Sequence, residues 1–283
     1  MDMRSLLELE PLSTLADNLR TVANSIIDSG PLTLLAPASF EGALALAQLE
    51  AAFLDKDLPY RRRFLPRDAP GACIEIGEGN ARAEPIPLTN SPLKIRLVPL
   101  TVVALHGHDG APHKGTLSPV AQAAALGEAL APDGERVRRL RPWALSGNWC
   151  AGGLDQGYDP VYSRLRDHLR EEGCIRVVSL PEVDTANLSA LPALDADRLA
   201  STRESWKSLD IEQKADALST LALPQVLQTS PSTARLEELL WHRVVIAGSE
   251  SDLQSSIAKL SGEWDGTPAV AAATIEKLLS SDF

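Results

Sequence analysis

Aromatic side chains make up only 4% of the 283 residues, so a core must be assembled mostly from Leu, Val, Ile and Ala. Cysteine is scarce as well: Cys73, Cys150 and Cys174 stand far apart, with no CxxC pair. An odd and dispersed set argues against a disulfide framework or a thiolate zinc site and reads as three reduced thiols. No apolar run approaches the ~18 uninterrupted residues that a membrane span requires. The first residues, with Asp2, Arg4, Glu8 and Glu10, lack the apolar stretch of a signal peptide. The expectation is a soluble, cytoplasmic protein with no membrane partner. Positive charge is in short supply: 27 Lys and Arg face 38 Asp and Glu, a net charge of -11. That balance argues against a surface that coats nucleic acid throughout, and leaves room for a local basic face. Internal repeats and low-complexity tracts are also missing.

What is present is the 44% apolar and 23% charged share of an ordinary globular chain. Its organising stretch runs from Pro31 to Leu54. Leu32 to Ala36 is a short apolar run suited to a strand buried on both faces. Pro37 to Gly42 reads as a turn, and Ala43 to Leu54 is built almost wholly from strong helix formers. A strand-turn-helix unit of this kind sets its loop at the carboxyl end of a parallel strand, where α/β proteins hold ligands. Before it, Leu15, Leu19, Val22, Ile26 and Ile27 recur at helical spacing over Ser13 to Ile27.

Further strands are expected at Tyr60–Leu65, Ala72–Ile76 and Leu100–Leu105, with an edge strand at Lys94–Val98. Helices are expected at Leu117–Leu130, with Ser118 as N-cap and Pro119 at the first helical position, around Arg136–Leu145, and at Pro160–Glu172. Gly147 to Gly153 reads as a turn, and Ile175–Leu180 as a final strand. The alternation predicts an α/β fold, a mostly parallel sheet with helices on both faces over residues 1–187. From Asn187 the composition shifts to Ala, Leu, Asp and Ser. Residues 188–283 are then a helical C-terminal region with helices at Ala193–Trp206, Ile211–Leu221, Thr233–Ala247, Ser251–Leu260 and Thr267–Ser280.

Four loops of such a sheet would meet at one edge: Ser39–Gly42, Glu75–Gly79, His106–His113 and Gly147–Gly153. Glu41, Glu75, His106, His108 and Asp109 could form a two-metal cluster, since carboxylates and imidazoles suit Mn²⁺ or Zn²⁺. The plainer reading makes His106-Gly-His108-Asp109 a polar turn and pairs Glu75 with an arginine. Two basic clusters, Arg61 to Arg63 with Arg67, and Arg136, Arg138, Arg139 and Arg141, could contact phosphates or an acidic partner. Consecutive arginines on a strand point to opposite faces, so Arg61 and Arg63 can share a surface that Arg62 cannot.

The order of these elements resembles the DHH phosphoesterase superfamily, in particular its archaeal RecJ-like and Cdc45-like branch, over roughly residues 25–155. Pro37 stands where the first motif of that family has histidine, and Ser39 and Glu41 where it has aspartates. Glu75 takes the aspartate position of the second motif. His106-Gly-His108 lies where Asp-His-His is expected, and Trp149 or Cys150 falls where the last aspartate is expected. The resemblance therefore implies a DHH-like fold with a vestigial site at Ser39, Glu41, Glu75, His106, His108 and Cys150, and no metal or other cofactor. It implies a Cdc45-like, non-catalytic scaffold that binds the GINS complex and supports the MCM helicase. Single-stranded DNA is a further contact, reached through Arg61, Arg63, Arg138, Arg139 and Arg141. The rival implied by the same family is an active Mn²⁺-dependent single-strand exonuclease using Glu41, Glu75, His106, His108 and Asp109.

Overall fold

The computed structural model describes residues 4–66, 69, 71–86, 88–188, 191, 196–226 and 232–280. Its contacts divide the chain into two compact units, residues 1–151 with 160–172 and 263–283, and residues 152–159 with 173–262. The sequence had placed a single boundary at residue 187.

The first unit is α/β. After a single helical turn at Glu10–Ser13, α1 (Ala16–Asp28) buries Leu19, Val22, Ala23 and Ile26, while Ile27 of the expected stripe is exposed. Strand β1 (Leu32–Ala36) is an interior strand, second in a sheet ordered β2-β1-β3-β5-β4. Its neighbours β2 (Tyr60–Phe64) and β3 (Cys73–Ile76) run parallel to it, with Leu34 opposite both Arg62 and Ile74. Strand β5 (Leu93–Leu97) is parallel to β3, and the two-residue β4 (Thr89–Asn90) closes that side as an antiparallel hairpin. The expected edge strand near Lys94 is thus an interior strand beside β3.

Helix α2 (Phe40–Asp55) follows β1 and is buried on every side from Gly42 to Phe53. Helix α3 (Pro119–Leu130) is buried from Pro119 to Gly127. Helices buried on every side, and mostly apolar, belong in a core, and each buried Leu contributes roughly 1.5–3 kcal/mol. Small residues let them approach closely: a Cβ on Gly127 would lie 3.1 Å from the Gln48 carbonyl oxygen. Two buried amides find carbonyls, with Gln48 Nε2 donating to Leu140 at 2.9 Å and Gln122 Nε2 to Val98 at 2.7 Å. Ser118 caps α3 with Pro119 in its first turn, as the sequence indicates.

The strong apolar run at Leu100 belongs elsewhere than expected. Strand β6 (Leu100–His106) pairs antiparallel with β7 (Pro112–Leu117) in a separate two-stranded sheet. Its alternating burial, with Leu100, Val102 and Ala104 inside, marks one wet face. Beyond it lie α4 (Glu135–Leu140), α5 (Ala144–Cys150) and the amphipathic α6 (Pro160–Glu171). The turn expected at residues 147–153 is helical up to Cys150. Glycine suits position 147 because a Cβ there would overlap Ser118 Oγ and lie 2.7 Å from Val120 Cβ.

The second unit contains the antiparallel pair β8 (Ile175–Val178) and β9 (Arg243–Ile246), with α7 (Ala196–Ser205), α8 (Ile211–Val226), α9 (Thr233–Leu240) and α10 (Leu253–Gly262). The helix expected over Thr233–Ala247 therefore stops at Leu240. The β-branched run Val244-Val-Ile246 turns into a strand and ends before Gly248, at φ 84°. The final strand expected near Ile175 pairs with this segment and not with the parallel sheet. The last helix, α11 (Pro268–Leu279), belongs to the first unit.

Candidate functional site

All four parallel strands of the first unit end on one sheet edge, the usual ligand side of an α/β protein. Three loops reach it: Pro37–Ser39 after β1, Gly77–Gly79 after β3, and Val98-Pro99 after β5. Ser39 is the N-cap of α2, and its Oγ accepts the Gly42 N–H at 3.0 Å. The turn is tight, because a Cβ on Gly42 would overlap the Pro37 carbonyl oxygen. Glu41 lies in the first turn of α2, where a carboxylate favours the helix dipole. Burial, and then the negative charge of Glu78, push its carboxyl above the usual carboxylate range.

Glu75 does not take that place. It stands one residue inside the end of β3, directly opposite Arg96 on β5, and its Oε1 is 2.9 Å from Arg96 Nε. The acid acting on Glu41 is Glu78, which sequence reasoning passed over. Its signal was the glycine on either side of it: Gly77-Glu-Gly79 leaves the strand at a point where a Cβ at 77 would lie 2.8 Å from Val98 Cγ1. Trp264, on the segment before α11, stacks edge-on against Phe40 at the first position of α2, with ring centroids 5.4 Å apart.

The histidines sit on the β6–β7 hairpin. His106 Nδ1 is 2.7 Å from Glu10 Oε1. His108 is exposed in the turn, and Asp109 Oδ1 accepts the Ala111 N–H at 3.0 Å, a local turn bond. Cys150 is half-buried at the end of α5, one residue after Trp149, whose ring packs 5.9 Å from that of Tyr162. Among the described residues, no three His, Cys, Asp or Glu side chains gather as a metal site.

The arginines separate as the strand period requires. Arg62 turns inward to Glu50, while Arg61 and Arg63 point to the other face of β2. Arg67 lies outside the described residues. Arg136 and Arg138 pair with Asp55 and Asp133, at 2.9 Å and 2.8 Å. Arg139 donates to the Leu279 carbonyl and so ties α4 to α11. Arg141 is buried, donates to the Arg4 carbonyl, and lies 3.3 Å from Glu128 and 3.2 Å from His168. Arg139 and Arg141 are thus structural ties, while Arg61 and Arg138 reach solvent. No protein-family model matches this chain, and no curated protein matches it.

Proposed function

We propose that this chain is a non-catalytic scaffold of the DHH type. In the Cdc45-like manner it binds the GINS complex and supports the MCM helicase in archaeal replication, with single-stranded DNA as a further contact. The partners follow from the sequence resemblance. The non-catalytic reading rests on one structural observation: Ser39, Glu75 and His106 each already serve a structural partner, respectively the Gly42 N–H, Arg96 and Glu10. A two-metal hydrolase needs several anionic ligands converging on the ions, so that they hold both cations and acidify bound water. Here the neutral Ser39 caps a helix, and the histidine sits on a different sheet from Glu75.

The reading is tested by incubating the protein with end-labelled single-stranded DNA and Mn²⁺. A scaffold releases no labelled nucleotide above the buffer control. Release that disappears in Glu41→Gln would instead support the exonuclease.

A further inference from the structure

Away from the sheet edge, the first unit carries a cleft of about 800 Å³, the size range of small-ligand sites. Three arginines from two segments line it: Arg20 of α1, and Arg138 and Arg141 at the end of α4. Only two carboxylates join them, Glu128 and Asp133, in a chain whose net charge is -11. Glu128 already faces Arg141 at 3.3 Å, with Arg141 almost wholly buried. Among the described residues, the other two arginines meet only carboxylates at the surface. Arg20 meets Asp17 at 3.1 Å and Arg138 meets Asp133 at 2.8 Å, and both acids are almost fully exposed. Exposed pairs of this kind are weak and exchange readily for a better anion. Leu7, Pro132 and Val137 supply an apolar wall beside these cations.

We infer that this cleft binds a small phosphate-bearing ligand of nucleotide size, with its phosphoryl group held by Arg20 and Arg138 and its apolar body against Leu7, Pro132 and Val137. The guanidinium fork matches a phosphoryl group bidentately, which a lysine cannot do. Arg141 and Glu128, paired at 3.3 Å, neutralise each other within the lining and leave Arg20 and Arg138 as the cations offered to a ligand. Arg138 and Arg141 are also among the arginines that the scaffold reading offers to single-stranded DNA, but none of these residues belongs to the sheet edge, so AMP binding is tested separately from GINS binding.

Calorimetric titration of the full chain with AMP, adenosine and inorganic phosphate tests it. AMP is expected to bind, adenosine to bind on the order of tenfold more weakly or worse, and phosphate to compete with AMP. The double variant Arg20→Gln/Arg138→Gln is expected to lose AMP affinity by a similar factor. Its melting temperature should stay unchanged, because both side chains are half exposed. Equal binding of AMP and adenosine, or a double variant with undiminished affinity, would overturn the inference. So would a single-stranded oligonucleotide of about 20 residues that binds where AMP does not, since that places an extended strand in the cleft.

Discussion

Arg62 grips the carboxylate of Glu50 with two nitrogens, Nε to Oε1 at 2.6 Å and Nη2 to Oε2 at 2.7 Å. Tyr60 donates its hydroxyl to the same Oε2 at 2.8 Å. Glu50 is fully buried in α2, and β2 supplies both partners from one face, two residues apart. Burial, and then the Glu50 charge, push the Tyr60 phenol well above its usual range, so it remains a donor. The edge strand of the parallel sheet is thereby locked to the central helix.

Glu50→Gln leaves Arg62, in a largely buried place, with only the exposed and more distant carboxylate of Glu276 at 3.4 Å. The expected loss is about 3 kcal/mol of unfolding free energy in chemical denaturation. Replacing both partners by Leu should recover part of that loss, since the desolvation cost of both charges disappears. A Glu50→Gln variant as stable as the parent protein would show that the pair contributes nothing.

His168 gives a pH dependence with a definite sign. Its ring is buried on α6, and Arg141 lies 3.2 Å from Nε2. Burial first, and then the Arg141 charge, hold it below the ordinary value of 6.5. The unfolded chain therefore takes up this proton before the folded one does. The contribution is fully present above about pH 6.5 and is lost as pH falls through the lower folded-state value. Melting temperature should fall between about pH 7 and about pH 5, with a shallower slope in His168→Gln. Parallel slopes would remove His168 from the account.

Gly147 tests the packing of α5 against the start of α3. An alanine there would overlap Ser118 Oγ and press on Val120, so Gly147→Ala should cost about 1–3 kcal/mol. Gly262→Ala is the control, because its Cβ would meet nothing within 4 Å. That change should be neutral or stabilise by up to about 1 kcal/mol, the helix preference of alanine. Equal responses to the two substitutions would refute the close contact.

Much of the first unit was legible because local signals agreed with the fold. The apolar run of β1, the strong helix formers of α2, and Ser118-Pro119 at the start of α3 each satisfy a short-range rule that the tertiary structure also obeys. Strand pairing was less legible. Leu100–His106 has the composition of a buried parallel strand, yet it pairs with β7, which begins at Pro112, a choice made by a turn through Gly110 at φ 77°. Arg243–Ile246 was absorbed into the preceding helix because its apolar residues continue a helical spacing, while their β-branching favours a strand. At the sheet edge, Glu75 drew attention as the acid within a strand, but the acid that acts on Glu41 is Glu78, beyond the strand end. Side chains alternate along a strand, so a one-residue difference in where it stops exchanges the sheet face for the edge.

The scaffold reading meets its most direct test in a binding titration of the purified chain with purified archaeal GINS complex, followed by calorimetry. The account predicts saturable binding at a fixed stoichiometry that needs no added divalent metal and persists in Glu41→Gln. Absence of heat or complex at concentrations up to about 100 μM, where even a weak specific interface would register, would contradict it.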